Sequence, residues 1–237
     1  MSDSTSDTGE VVVVGSGRPP SGVARTLVIT AAVLAVLLLG AAVGLLVKLP
    51  GSSSSTAAPA SGSVDVGFCQ DMAMHHLQGI QMANIARDRS TDPDIRQLAF
   101  DIASTQLEQV GRMKGWLMMW NEHEQNISGV YMAWMNDAGI HGHGATTAEP
   151  GKPAMPGMAT SEELAKLRTL TGRDLDVYFL QLMLRHHVGG APMAEYASTR
   201  AGQAAVRTLA DNMLKSQSSE TELMKDYLAK RGAAPLP

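Results

Sequence analysis

Phe68-Cys69-Gln70-Asp71-Met72-Ala73-Met74-His75-His76, followed by Gly79, Met82 and Ala83, has a second copy further along the chain. That copy reads Phe179-Leu180-Gln181-Leu182-Met183-Leu184-Arg185-His186-His187, followed by Gly190, Met193 and Ala194. A shift of 111 residues lays Asp65–Trp120 on Asp176–Arg231 without a gap, and 19 of the 56 paired positions are identical. Agreement extends past the motif: Arg96, Leu98, Ala99, Gln106, Met113, Lys114 and Leu117 recur as Arg207, Leu209, Ala210, Gln217, Met224, Lys225 and Leu228. A duplicated supersecondary unit does not bury its apolar face alone, so the two copies are expected to share one core.

Each copy reads as two helices. Phe68, Met72, His75, Gly79, Met82 and Ala86 repeat in alternating steps of four and three, which predicts a helix over about 65–87 with that stripe inward. Asp92-Pro93 supplies an N-cap and a proline at the first helical position, opening a second helix that continues through Gln106, Gln109, Met113 and Leu117 to about residue 121. In the second copy the helices are expected over about 174–199, with a bend at Pro192, and 203–230. Thr160-Ser161-Glu162-Glu163 fits a capping box ahead of a short helix. The expected fold class is all-α: a four-helix bundle built from two duplicated helix pairs over residues 65–231, joined by a long Met/His-rich connection at 121–175.

Ahead of the bundle lie three segments of different character. Residues 1–25 are small and polar and read as a disordered tail. Thr26–Val47 contains no charge, enough to cross a hydrocarbon core of roughly 30 Å as one transmembrane helix. Its length exceeds the roughly 7–15 apolar residues of a cleavable signal, which favours an uncleaved signal anchor with a cytoplasmic tail and an extracytoplasmic bundle. Ala58-Pro59-Ala60 imitates a cleavage site but stands far beyond the apolar run. Within the span, Gly40-Ala41-Ala42-Val43-Gly44 fits a small-xxx-small pattern that lets two membrane helices approach, so a homodimer is one expected partner state. Residues 49–64, rich in serine, read as a flexible linker.

From Lys48 onward there are 17 Lys and Arg against 20 Asp and Glu, a balance that argues against nucleic acid as a partner. Cys69 is the single cysteine, so no internal disulfide forms. No Glu-x-x-His motif, nucleophile motif or phosphate-binding glycine loop is present, and the sequence gives no support for catalysis. What remains is the His and Met pattern. Adjacent residues on a helix diverge by about 100°, so His75 and His76 cannot serve one ion from one backbone segment, and two helices must cooperate. Met72 lies three residues before His75 and four before His76, beside either ring, and Met183 stands likewise to His186 and His187. Imidazole with thioether suits copper, Cu(I) above all. The candidate metal ligands are thus His75, His76, Met72, His186, His187 and Met183, joined by Met82 and Met193 and, in the first copy alone, by Cys69. His141 and His143, with Met155 and Met158, form a possible second, exchangeable site in the connection.

Each of these residues has a plainer reading. Methionine fills gaps in many cores, a buried cysteine is usually a small apolar residue, and duplicated histidines can serve as a polar network that keeps a bundle in register. Asp65 and Asp176 read as helix caps. On that reading the domain is a non-catalytic scaffold or accessory subunit docking on another envelope protein, with structural His pairs; a metal-dependent redox enzyme is the third alternative.

The combined pattern of Asp65, Phe68, Met72, His75-His76, Gly79, Met82-Ala83, then Met155-Pro156-Gly157-Met158, then Asp176, Phe179, Met183, His186-His187, Gly190 and Met193-Ala194 resembles the family known as domain of unknown function 305, also described as CopM-type copper metallochaperones. The resemblance spans about residues 65–230. It implies a ferritin-like helical bundle, export from a bacterial cytoplasm, and copper binding in at least some members. Cys69 and Gly189-Gly190-Ala191-Pro192 depart from the family pattern.

Overall fold

The computed structural model describes residues 22–46, 57–135, 145–147 and 153–236, and the chain divides into two compact units, residues 1–55 and 56–237. Residues 1–21 of the N-terminal tail, the first half of the linker, and His141 and His143 lie outside the described residues, while residues 22–25, expected in the tail, belong to the first helix.

In the first unit, α1 spans Gly22–Leu46. Its 25 residues make a rod of about 37 Å at ~1.5 Å per residue, and the Gly22–Gly40 stretch has a mean hydropathy of 2.3. Thr26 and Thr30 donate their hydroxyls to the carbonyls of Gly22 and Thr26, each at 2.9 Å, so neither carries an unmet polar group to the helix surface. The helix is long and apolar enough to cross a membrane.

The second unit is a bundle of four long helices: α2 (Val64–Arg89), α3 (Pro93–Met119), α5 (Gly172–Arg200) and α6 (Ala204–Lys230). A short α4 (Ser161–Thr169) precedes α5, and a two-residue antiparallel pair joins β1 (Val130–Tyr131) to β2 (Thr146–Thr147) in the connection. The helix starts follow the sequence signals. Asp92 accepts from the Asp94 N–H with Pro93 in the first turn, and Thr160 and Glu163 form a reciprocal capping box. Helix α5 runs through Pro192 without interruption.

α2 packs on α3, α5 packs on α6, and the two hairpins meet along α2 and α5. These central helices are antiparallel. At one end the Asp65 carboxylate accepts from the backbone N–H groups of Gly202 and Gln203, at 2.8 and 2.7 Å; at the other, Asp176 accepts from the Ser90 hydroxyl at 2.6 Å. Asp65 therefore does not cap its own helix, whose N-cap is Ser63, but carries its charge to the turn that opens α6, where the helix dipole favours it. The repeated arginines act within each hairpin: Arg96 donates to the Ser90 carbonyl, and Arg207 donates to the carbonyls of Ala201 and Gly202.

The apolar interior falls into two clusters related by the duplication. Phe68, Met72, Met113 and Met193 belong to one; Phe179, Met183, Met224 and Met82 belong to the other. Each is thus built from all four long helices of both copies, which explains why one copy cannot form a core alone. Full burial of a Phe, Met, Leu or Ile side chain contributes roughly 1.5–3 kcal/mol, and these residue types fill both clusters.

Two stretches of the connection are buried in the bundle, whereas the stretch between them and α3, with Ile127 75% exposed, faces solvent. Met132, Trp134, Met135, Met155 and Met158 are all buried. Asp71, fully enclosed, holds the first part by accepting from the Met132 N–H at 2.7 Å and the Trp134 indole N–H at 2.9 Å. Gly67 makes room for that indole: a Cβ there would stand 2.3 Å from Trp134 Cδ1. The second part, Met155-Pro156-Gly157-Met158, is a strap across α2 and α5. Gln78 brackets its end, donating to the Ala159 carbonyl at 2.9 Å and accepting from the Ala159 N–H at 2.6 Å, and Arg185 pairs with Glu163 just beyond. Gly157 takes a φ of +80°, open to glycine, and lies so close to Gly189 that a Cβ on Gly189 would fall 2.4 Å from the Pro156 oxygen. Met155 and Met158, the thioethers of the second site expected in the connection, are thus buried within the strap, and the histidines expected beside them, His141 and His143, lie outside the described residues.

Candidate metal centre

His75, His76, His186 and His187 lie where α2 crosses α5, and none is more than 1% exposed. The rings form a row. Centroids of His75 and His186 are 3.8 Å apart at the centre, with His76 6.4 Å from His75 and His187 6.1 Å from His186 on the flanks. Duplicated glycines permit the close central pair. A Cβ on Gly190 would stand 2.9 Å from Cε1 of His75, and one on Gly79 would stand 2.9 Å from Cε1 of His186, so each histidine rests against the other copy's glycine.

All four rings use Nε2 in the same way. His75 faces the Pro156 carbonyl at 3.1 Å, His76 the Gln109 amide oxygen at 2.8 Å, His186 the His75 carbonyl at 2.9 Å, and His187 a Glu220 carboxylate oxygen at 2.5 Å. Each of these oxygens carries no proton to give, so every ring must donate from Nε2 and is the Nε2–H tautomer when neutral. The remaining nitrogen, Nδ1, is then a bare lone pair. In all four histidines that atom is buried and has no partner among the described residues. Burial also favours the neutral ring: it lowers the His75 pKa to about 4 and that of His76 to about 3, and holds His186 well below its ordinary value.

Four buried lone pairs without donors are a costly arrangement unless something electron-poor meets them. A ring whose outer N–H is fixed on an oxygen while its other nitrogen is free also has the second-shell pattern of a metal-ligating histidine. Among the described residues, no three His, Cys, Asp or Glu side chains converge on one point, so an ion here would have to draw on thioether sulfur. Helix register supplies it. Met72 lies one turn back from His76 on α2, and Met113 one turn on from Gln109 on antiparallel α3; both fall in the same cluster, joined by Met193 from α5. The duplication places Met183, Met224 and Met82 likewise beside His187 and Glu220. Such donors suit a soft ion, and the duplication arranges them in two groups, one about His76 and one about His187.

Cys69 lies in the first cluster, fully enclosed, and burial pushes its thiol pKa far up, with the Asp65 charge adding to the effect. It behaves as a neutral apolar side chain, and its counterpart Leu180 fills the same role in the other cluster. The outer partners of the rings, Gln109, Glu220 and Pro156, were not singled out as functional by the sequence, although Gln109 stands on the apolar stripe of its helix. Alignment of the copies pairs Gln109 with Glu220, and that pairing was the available signal.

Comparison with known proteins agrees with the fold. No curated relative matches the sequence. A crystallised DUF305 protein from Streptomyces coelicolor is 42% identical, with a TM-score of 0.66 over 75% of this chain and 99% of the other. A DUF305 fragment from Deinococcus radiodurans is 29% identical, with a TM-score of 0.55 over 70% of this chain and 96% of the other. CopM in its Cu(II)-bound form is 23% identical, with a TM-score of 0.53 over 70% of this chain and 96% of the other, and shares the fold. Residues 65–228 match the domain of unknown function DUF305, and with these relatives beside it the chain belongs to the DUF305 family.

Proposed function

We propose that this protein is a membrane-anchored, extracytoplasmic copper-binding protein that buffers or transfers the metal through imidazole and thioether ligands, Cu(I) being the favoured state. The observation that carries this reading is the set of four enclosed Nδ1 lone pairs, each on a ring whose Nε2–H is already committed to an oxygen. The residues that would hold the ion are His75, His76, His186 and His187 with Met72, Met183, Met82 and Met193; Met113 and Met224 complete the two methionine groups. Thioether sulfur and neutral imidazole match a soft monovalent ion that needs no water. CopM, which shares the fold, is known in copper-bound form and supports the choice of metal. The role is one of binding, without turnover, and without nucleic acid as a partner. Anchoring rests on α1, whose apolar length suits a bilayer span; the extracytoplasmic placement of the bundle rests on the signal-anchor reading, in which the chain after the span is exported.

The test is anaerobic titration with Cu(I) against a calibrated chromogenic chelator, comparing the native chain with a variant in which His75, His76, His186 and His187 are all glutamine. Tight saturable binding by the native protein and its loss in the folded variant are expected. Native affinity in the folded quadruple variant would remove the histidines from the site, and no competition by the native protein would favour the scaffold reading, with the rings as a structural network.

A further inference from the structure

Two copies of one site need not be equal, and here they differ by one charge. Positions 109 and 220 correspond under the duplication, and each side chain accepts from the Nε2–H of the flanking ring of its own copy. In the first copy the acceptor is the neutral Gln109 amide at 2.8 Å; in the second it is the Glu220 carboxylate at 2.5 Å. The inward donors beside those rings are otherwise the same by type, with Met72 and Met113 near His76 and Met183 and Met224 near His187. Gln109 is buried, whereas the Glu220 side chain keeps 20% exposure, so the charged copy also stands closer to solvent.

The difference bears on the charge of the ion each half can take. Thioethers and neutral imidazole bring no charge. A monovalent ion among them leaves one positive charge in a low-dielectric interior, and a divalent ion leaves two, a burden that grows steeply with burial. Glu220, bonded to the far side of the ligating ring, returns a divalent half-site to a single positive charge and makes the imidazole a stronger donor, as carboxylate–histidine pairs do at metal sites. Gln109 orients its ring equally well and supplies no compensation.

Resting on the reading of these histidines as ligands, we propose that the duplicated centre is split by oxidation state: the His187 half-site, through Glu220, takes the divalent ion, and the His76 half-site, through Gln109, takes Cu(I). Glu220 is thus the residue that sets specificity, acting through His187 and not by direct coordination.

The experiment uses the full-length chain in detergent micelles, with Glu220→Gln and its converse Gln109→Glu, both close to isosteric. Cu(II) and Zn(II) affinities are read by chelator competition, the Cu(II) environment by electron paramagnetic resonance, and Cu(I) affinity by anaerobic competition. Glu220→Gln is expected to weaken Cu(II) and Zn(II) by about 10- to 100-fold and leave Cu(I) within about threefold, since loss of an outer-shell partner has effects of that order. Gln109→Glu is expected to create a second Cu(II) site with a similar spectrum. Unchanged Cu(II) affinity and spectrum in both variants, with Cu(I) bound normally, would overturn the split and leave the copper-binding reading intact. Absence of Cu(I) and Cu(II) binding in the native protein would overturn both.

Discussion

Mild acid should weaken the metal-free bundle, and the buried histidines set the amount. A ring whose folded pKa lies below its unfolded value near 6.5 takes up a proton on unfolding at any pH between the two. The stability it contributes is complete above pH ~6.5 and is lost as the pH falls toward the folded value. Burial puts His75 at about 4 and His76 at about 3, and holds His186 well below 6.5, so all three act in the same sense. At ~1.4 kcal/mol per pH unit and ring, going from neutral pH to 5 removes about 2 kcal/mol for each of His75 and His76, or about 4 kcal/mol together, and His186 adds to it. Asp71 works the other way: burial raises its pKa, the native state takes up that proton, and part of the loss is offset. Glu163 and Asp92, both lowered from below pH 5, weaken the fold only under more acid conditions. A loss of about 4 kcal/mol is large against the ~5–15 kcal/mol of an ordinary domain. Urea titrations of the metal-free chain in micelles, followed by tryptophan fluorescence, isolate the effect, because Trp116, Trp120 and Trp134 all lie in the bundle. The unfolding midpoint should fall steadily between pH 7 and 5, by an amount worth about two protons or more, and by one proton less in His76→Gln. A midpoint that stays flat across that window would refute neutral, proton-poor burial of the rings.

Gly189→Ala should cost about 1–3 kcal/mol in thermal denaturation, because its Cβ would meet the Pro156 oxygen and the Gly157 backbone, at 2.4 and 2.5 Å, and main chain cannot swing aside. Gly79→Ala should cost less, since its nearest obstacle, Gln106 Oε1 at 2.3 Å, is the end of a side chain; equal costs would contradict the strap packing. Asp71→Ala leaves the Met132 N–H and the Trp134 indole N–H without their acceptor, at about 1–3 kcal/mol each, and should shift the emission of Trp134 to the red; an unshifted spectrum with native stability would show that the connection is held by other contacts.

The four long helices were legible because their apolar period, caps and duplication all agreed. Asp92-Pro93 and Thr160 through Glu163 stop and start helices through local chemistry that no tertiary contact overrides. The placement of the connection was not legible. The sequence marked it only as a long Met/His-rich connection, yet Asp71, Gly67 and Gly189 on the helices form a berth for parts of it, and a receptor for a segment far away in sequence leaves no local signature. Asp65 misled for the same reason: an acidic residue near a helix start suits a cap, and its partners instead lie 137 and 138 residues away. The histidine pairs and Met72 and Met183 could be picked out by repetition, but the tautomers could not, since they depend on acceptors from α3, α6 and the strap.

Departures from the internal symmetry can be sorted by cause. A single connection cannot obey a twofold relation, so it must fall unequally on the two copies. Gly67 opposite Tyr178, and Asp71 opposite Leu182, differ because only α2 receives Trp134 and Met132. Gln78 and Gly189 also correspond, and they meet different parts of the strap, one bonding Ala159 and the other lying against Gly157. His75 and His186 differ likewise, as the Pro156 carbonyl reaches only the first. These asymmetries are consequences of chain connectivity and carry no information about a ligand. Gln109 and Glu220 are another matter, for their bonds run to His76 and His187 and not to the connection. Packing does not ask for a charge at one of two equivalent places in a bundle, where an unneeded carboxylate is a cost. On the proposed split, the difference lies in the charge of the ion that each ring would hold.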